Sequence, residues 1–292
     1  PTIDNNKDLP GLYQAADGAS QNAQFWYFGA LGFYLVLLVC AALVSFIWPT
    51  NIQGALTSAV LFLVTLGILI GLKAKKPDDI WYNWRAVAES VKTRSWRWIM
   101  QAEPYQDVGN HEITCKLFIS DLKSILSQNR SLSHELISST CVQDPISQKM
   151  ETIRNLTLEE RLMVYKEQRI KNQADWYSRK SLFNKNRAFQ WFCASIALHV
   201  IAILMLLYRI KDPSASVPVE VIATTAGAVL TWLQAKKHSE LNSSYGLTAH
   251  EITLIKGEAL SVRTEKELSE FVVNSENAFS REHTQWTARK SD

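Results

Sequence analysis

Glycine and proline are missing where a chain would need them in order to bend. Neither occurs between Leu156 and Tyr208, so nothing in that stretch breaks a helix. Charge of one sign is also scarce. The formal net charge is +3 over 292 residues, which provides no electrostatic footprint for a nucleic acid. The four cysteines show no CxxC spacing. Cys40 and Cys193 fall in apolar runs and Cys115 and Cys141 in polar ones, a pattern of reduced cysteines facing a cytosol rather than a disulfide framework. There is no nucleophile–base pair, no metal-ligand spacing and no phosphate loop, so no enzyme, metal or cofactor is expected. The string HEIT occurs at His111–Thr114 and again at His250–Thr253. A zinc-protease helix needs a second histidine one turn on, and Cys115 and Leu254 stand there instead. The opening stretch PTIDNNKDLPGLYQAADGAS lacks the basic and short apolar regions of a secretory signal.

What the chain does have is long apolar runs. Crossing a bilayer core of about 30 Å takes roughly 20 apolar residues in a helix. Four stretches approach that length: Phe25–Trp48, about Ile52–Leu72, Ala188–Tyr208 and Val217–Gln234. Trp26 and Trp48 bracket the first, where interfacial aromatics belong. Lys73, Lys75, Lys76, Arg179, Lys180, Lys185, Arg187, Lys236 and Lys237 flank one side, against Arg209 and Lys211 on the other. The positive-inside rule then places both termini and the middle region in the cytoplasm. Core helices of a soluble protein are the competing reading, and lysine borders on four membrane-length runs speak against it.

The two hairpins look like copies. LKAKK (Leu72–Lys76) ends the first and LQAKK (Leu233–Lys237) the second; QFWYF (Gln24–Phe28) opens one and FQWFC (Phe189–Cys193) the other. Each turns at a proline, Pro49 or Pro213. A two-span unit duplicates without inverting, so the repeats would be parallel. The two HEIT strings do not share the hairpins' offset. The expected fold is an all-α membrane protein with two parallel-duplicated transmembrane hairpins, four spans in all, and long cytoplasmic helices forming a helical bundle. The expected domains are 1–150, with spans near 25–48 and 52–72 and cytoplasmic helices near 78–140, and 151–292, with a long helix 156–208, spans 188–208 and 217–234, and C-terminal cytoplasmic helices.

Periodicity predicts those cytoplasmic helices. Trp84, Ala88, Val91 and Trp98 share one face, and Pro104 follows as a stop. A second helix over about His111–Leu126 should turn Leu117, Leu122, Ile125 and Leu126 inward. Asn129–Pro145 reads as a loop. Thr157 and Glu160 have capping-box spacing, and Leu156, Met163, Ile170 and Tyr177 then repeat at seven, a stripe suited to a helix with two neighbours or a coiled coil. One helix of about 50 residues is predicted from Leu156 to Tyr208, roughly 75 Å long. Ile252, Ile255, Ala259 and Val262 form a further face, and SENAFSREHTQW a last helix. Trp81, Trp84, Trp96 and Trp98 are placed near the lipid headgroups.

Two strings are more specific. LPGLYQAADGAS (Leu9–Ser20) with WYNWRAVAESVKTRSWRWIMQAEP (Trp81–Pro104) resembles one subtype of the SLATT family. RLMVYKEQRIKNQADWYSRKSLFNKN (Arg161–Asn186) with SREHTQW (Ser280–Trp286) resembles a second. These are bacterial two-transmembrane effector domains found beside nucleotide second-messenger synthases and SLOG sensors. The resemblance implies a tandem protein of the bacterial inner membrane. It implies an effector of an antiviral conflict system that perforates or disturbs the bilayer, and a sensor or nucleotide-signalling partner in trans. The family-motif and interface residues are Arg85, Glu89, Lys92, Trp96, Tyr165, Arg169, Gln173, Trp176, Tyr177 and Lys180. Of these, Tyr165, Arg169, Gln173, Tyr177 and Lys180 step along one helical face, read as a determinant of contacts between helices or subunits.

Conduction would need a homo-oligomer, since four spans enclose little. Thr224, Ala228 and Thr231 share a face of the fourth span, which fits either a pore lining or tight packing. Gly67 and Gly71 form a GxxxG packing motif. Glu220 lies at the outer mouth. His199 falls near mid-membrane, where an ionisable group is either functional or bonded to a neighbouring helix. A gated ion channel outside defence, or a membrane scaffold for a cytosolic partner, would share these features.

Overall fold

A computed structural model describes residues 2–107, 109–129 and 144–288, with side chains to 280. Among the described residues every regular element is helical: α1 (Gly11–Ile47), α2 (Ile52–Lys75), α3 (Pro77–Ile99), α4 (His111–Gln128), α5 (Gln148–Arg154), α6 (Leu158–Tyr165), a π turn (Lys166–Ile170), α7 (Lys171–Lys211), α8 (Val219–Lys236), α9 (His238–Glu258) and α10 (Glu265–Ala288). The loop predicted over Asn129–Pro145 lies, apart from its ends, outside the described residues. The chain forms two compact units, Pro1–Gln24 with Asp78–Arg179 and Ser244–Asp292, and Phe25–Pro77 with Lys180–Ser243. Each draws on both halves of the sequence.

The first unit buries its apolar residues in the ordinary way. Trp84, Val91, Trp98, Tyr105, Phe118 and Met150 are closed off from solvent, each large apolar side chain contributing about 1.5–3 kcal/mol. Trp84, Ala88, Val91 and Trp98 lie on one buried face of α3, as the spacing predicts. Trp84, Trp96 and Trp98 are therefore interior packing, not headgroup anchors, and only Trp81 stays partly exposed. Along α4 the inward residues are Phe118 and Leu122, while Leu117 and Leu126 face out. Phe118 fills the space between Trp98 and Tyr105, with ring centroids 5.8 and 5.7 Å away. That aromatic contact outweighs the leucine pattern in setting the helix rotation. Ile252, Ala259 and Val262 are buried, with Ile255 partly so, as expected.

The helix from Leu158 to Lys211 is unbroken except for the π turn. Its start is fixed by the Thr157–Glu160 capping box. The π turn adds a residue to one turn and re-phases the stripe. Ile170 and Tyr177 are buried as predicted, but Met163, seven residues before Ile170, is 65% exposed, and Leu162 packs on the core instead.

The second unit is built the other way round. Phe25, Trp26, Ile52, Leu63, Phe189 and Leu204 are all exposed. Three helical stretches are long and apolar enough to cross a membrane, and their most apolar windows are 11%, 11% and 0% buried. An outward apolar surface of this extent is unlike that of a soluble monomer and matches a bilayer solvent. The three stretches lie in Gly11–Ile47, Ile52–Ile99 and Leu158–Lys211. The expected fourth span, α8, has only 18 residues with Glu220 and Lys236 near its ends, and it is not among them.

Small contacts order the second unit. Trp232 of α8 packs edge-on to Phe28 of α1, centroids 5.9 Å apart, and lies 6.5 Å from Trp191 of α7. Lys236 Nζ sits 3.3 Å from the Phe28 ring centroid. Asn51 caps α2 by accepting from the Gln53 N–H. A Cβ at Gly54 would lie 2.6 Å from Trp48 Cβ and 2.7 Å from its carbonyl oxygen. Nothing lies within 4 Å of a Cβ added at Gly67 or Gly71, so the GxxxG motif is not a packing seam among the described residues. Gly54→Val is therefore expected to destabilise the hairpin turn by about 1–3 kcal/mol, whereas Gly67→Ala leaves the melting temperature of the detergent-solubilised chain unchanged. Equal melting curves for both variants would remove the close-approach argument.

Candidate functional site

The residues singled out by the two specific strings meet in the first unit. α1 supplies Tyr13 and Asp17, α3 supplies Arg85, Glu89, Lys92 and Trp96, the π turn supplies Arg169, and α7 supplies Gln173, Trp176 and Tyr177. All line one cavity of ≈ 370 Å³. Strings separated by many residues in sequence thus face the same space. Tyr165 and Lys180 are the exceptions: Tyr165 is fully buried off the lining, and Lys180 is exposed, with its ammonium 5.8 Å from the Phe183 ring.

One wall is an ion-pair ladder. Arg85 reaches Asp17 at 3.3 Å and Glu89 at 3.0 Å. Burial alone would lower its pKa, but the two carboxylates overcome this and raise it. Lys92 lies one turn further along α3, its ammonium 5.9 Å from the Tyr13 ring. Burial lowers the Lys92 pKa, the charges of Arg169 and Arg85 add to the effect, and Glu89 opposes it.

Arg169, also on the lining, belongs to a buried hub. Arg169 is 1% exposed and donates Nε and Nη2 to the two oxygens of Glu276, at 2.8 and 2.6 Å. Glu276, on α10, is fully buried and also accepts from the Tyr165 hydroxyl at 2.9 Å and the Thr93 hydroxyl at 3.1 Å. Burial by itself would push the Arg169 pKa down; the charge and hydrogen bonds of Glu276 raise it instead. Burial and then the Glu276 charge push the Tyr165 hydroxyl well up. The face expected to govern contacts between helices or subunits thus includes a contact inside this chain, to α10. Trp96 packs edge-on to Tyr165 at 5.8 Å, and Trp176 and Tyr177 pack on Tyr245 at 5.5 and 5.6 Å.

Two further arginines are buried, Arg154 on α5 and Arg161, the first residue of the second family string, on α6. Arg154 donates to the Trp98 carbonyl and, at 2.8 Å, to the Tyr105 carbonyl. Arg161 donates to the Met100 carbonyl at 2.9 Å and pairs with Glu265. The Trp98 and Met100 carbonyls lie at the C-terminal end of α3, where the Trp98 oxygen accepts also from the Gln101 N–H, and the Tyr105 carbonyl lies in the segment beyond; the two guanidinium charges suit the negative end of the α3 dipole.

The intramembrane candidates are not gathered into a site. His199 Nδ1 bonds to the Ser195 carbonyl of its own helix at 2.7 Å, rather than to a neighbouring helix. Thr224 and Thr231 likewise donate to Glu220 and Gly227 carbonyls one turn back, at 2.8 and 2.9 Å. A hydroxyl satisfied in this way does not require water. Ala228 is half-buried, and Glu220 pairs with Arg209 at 3.6 Å.

Family comparison covers nearly the whole chain. Residues 10–162 match the model described as "SMODS and SLOG-associating 2TM effector domain 3", and residues 165–286 match "SMODS and SLOG-associating 2TM effector domain 1". No curated protein and no solved structure matches.

Proposed function

The chain belongs to the SLATT family as a tandem of two such domains, and from that premise we propose that it is an inner-membrane effector of a bacterial antiviral conflict system, one that oligomerises and opens a pore or disrupts the bilayer when activated. Two consecutive two-transmembrane domains support four spans: the apolar parts of α1, α2 and α7, together with α8. At about 1.5 Å per residue, α8 is about 27 Å long, close to a bilayer core of about 30 Å. The basic border at Lys73–Lys76, Arg179–Arg187 and Lys236–Lys237 supports cytoplasmic termini. The observation that carries the reading is the inverted second unit, whose large apolar residues face outward in a chain matched to two membrane effector domains.

In this reading copies of the chain assemble around the α8 face with Thr224, Ala228 and Thr231, with Glu220 at one end and His199 on α7. A sensor or nucleotide-signalling partner acts in trans on the polar unit. Induced expression in bacterial cells is expected to collapse the membrane potential, followed with a potential-sensitive dye. Full polarisation during phage challenge, with the protein inserted and its native neighbouring genes present, would overturn the effector reading. Ion-selective current without growth arrest would point to a gated channel of other purpose, and electrically silent bilayers with a co-purifying cytosolic protein to a scaffold.

A further inference from the structure

In the first unit Arg85, Arg161 and Arg169 all pair with carboxylates. The second unit holds a basic group that does not. Arg187 of α7 places its guanidinium 5.4 Å from the Phe183 ring centroid and donates Nη1 to the neutral amide oxygen of Gln190 at 3.2 Å. Lys236, at the end of α8, holds its ammonium 3.3 Å from the Phe28 centroid and 4.9 Å from that of Trp232. Neither has a carboxylate partner among the described residues. Lys237 follows in the chain, with the exposed Glu240 carboxylate 3.9 Å from its ammonium. A buried contact ties α7 to this point. His238, next after Lys237, bonds through Nδ1 to Asn184 Oδ1 at 2.7 Å, and its ring lies 6.4 Å from Phe183. Burial lowers the His238 pKa, and the positive charges of Lys236 and Arg187 lower it further. Both charges therefore act on the same spot. Like charges held near one point repel, and an anion between them would relieve the repulsion.

The level of this group along the helices points to the anion. Trp191 and Trp232 stand four residues inward of Arg187 and Lys236, about 6 Å of helix rise. Indoles settle at the edge of the hydrocarbon, which puts the two cations at the level of the lipid phosphates. Phe189 and Phe192, at the start of the apolar run of α7, are exposed. We propose that Arg187, Lys236 and Lys237 form a binding site for the headgroup phosphate of one anionic phospholipid, whose acyl chains lie along Phe189 and Phe192. The site rests on the reading that the second unit spans the bilayer with its basic border in the cytoplasm. A free phosphate would leave the exposed rings unused, so they favour a lipid. Basic pockets between helix ends on this side of a bilayer suit such headgroups. The bound lipid would join α7 to α8.

The full chain in uncharged detergent is titrated with dioleoylphosphatidylglycerol or dioleoylphosphatidylcholine, and bound lipid is counted by native mass spectrometry. The glycerol lipid should bind saturably, one per chain, and about tenfold or more tighter than the choline lipid, the effect of two cations on a net negative headgroup. Inorganic phosphate at equal concentration should not displace it. Arg187→Gln and Lys236→Gln should each weaken it about fivefold, and Arg187→Lys, which keeps the charge, by about twofold at most. Arg187 is exposed, so lipid-free Arg187→Gln should melt at the wild-type temperature. Lys75→Gln, on the same basic border at the end of α2, should leave binding unchanged. Equal affinity for the two lipids would overturn the site. So would displacement by phosphate, or an equal loss in Lys75→Gln, which would assign the preference to the border as a whole. Flotation with phosphatidylcholine vesicles tests the membrane reading separately. A chain that fails to float overturns both, and one that floats without preferring the glycerol lipid overturns the site alone.

Discussion

Arg169→Ala lowers the stability of the first unit by about 3–5 kcal/mol, because it strands the fully buried Glu276 carboxylate. For a folded unit of this size that corresponds to a fall in melting temperature of about 6–20 °C, measured on the detergent-solubilised chain. The loss comes mainly from the charge left behind, not from the contact removed. The paired replacement Arg169→Met with Glu276→Leu should therefore recover most of it, since no unpaired charge remains. The residual loss belongs to the Tyr165 and Thr93 hydroxyls, which lose their acceptor. A double variant no more stable than Arg169→Ala would show that the packing of the arginine, including its stacking 4.9 Å from the Phe279 centroid, outweighs the electrostatics.

Arg154→Ala should have the next largest effect, about 2–5 kcal/mol. It leaves the Tyr105 carbonyl without its arginine donor, at a cost of about 1–3 kcal/mol, and takes the charged donor from the Trp98 carbonyl, which keeps only the Gln101 N–H. The stacking of its guanidinium 4.7 Å from the Trp98 centroid is lost too. The informative comparison is Arg154→Lys. A lysine ammonium is a point charge and cannot span two carbonyls while lying flat on an indole. Arg154→Lys is expected to recover less than half of the loss in a thermal melt; full recovery would mean that charge alone matters here.

The specific strings and the cavity show how far local information reaches. Arg85, Glu89 and Lys92 sit four and three residues apart, so their common face follows from helix geometry. Their pairing with Asp17, and the meeting of this face with Arg169, Trp176 and Tyr177, does not follow, because it depends on the packing of α1, α3 and α7. Glu276 was invisible for the same reason. A lone glutamate in a charged helix is cheapest in water, and only a buried arginine from a distant helix makes its burial tolerable. The π turn also escaped periodicity, and that single extra residue moved Met163 outward.

The sequence by itself determined that this is a helical protein, which stretches are apolar enough for a membrane, where α6 is capped, and which two family strings occur in tandem. Helix period, capping and hydropathy act within one or a few turns, so one strand of text suffices to read them. The tertiary structure decided which charges are buried, that Trp84, Trp96 and Trp98 of α3 are core rather than interface, that two arginines lie against the end of α3, and that the two strings line one cavity. Those outcomes depend on desolvation and on partners brought together by folding. A residue's type does not carry them.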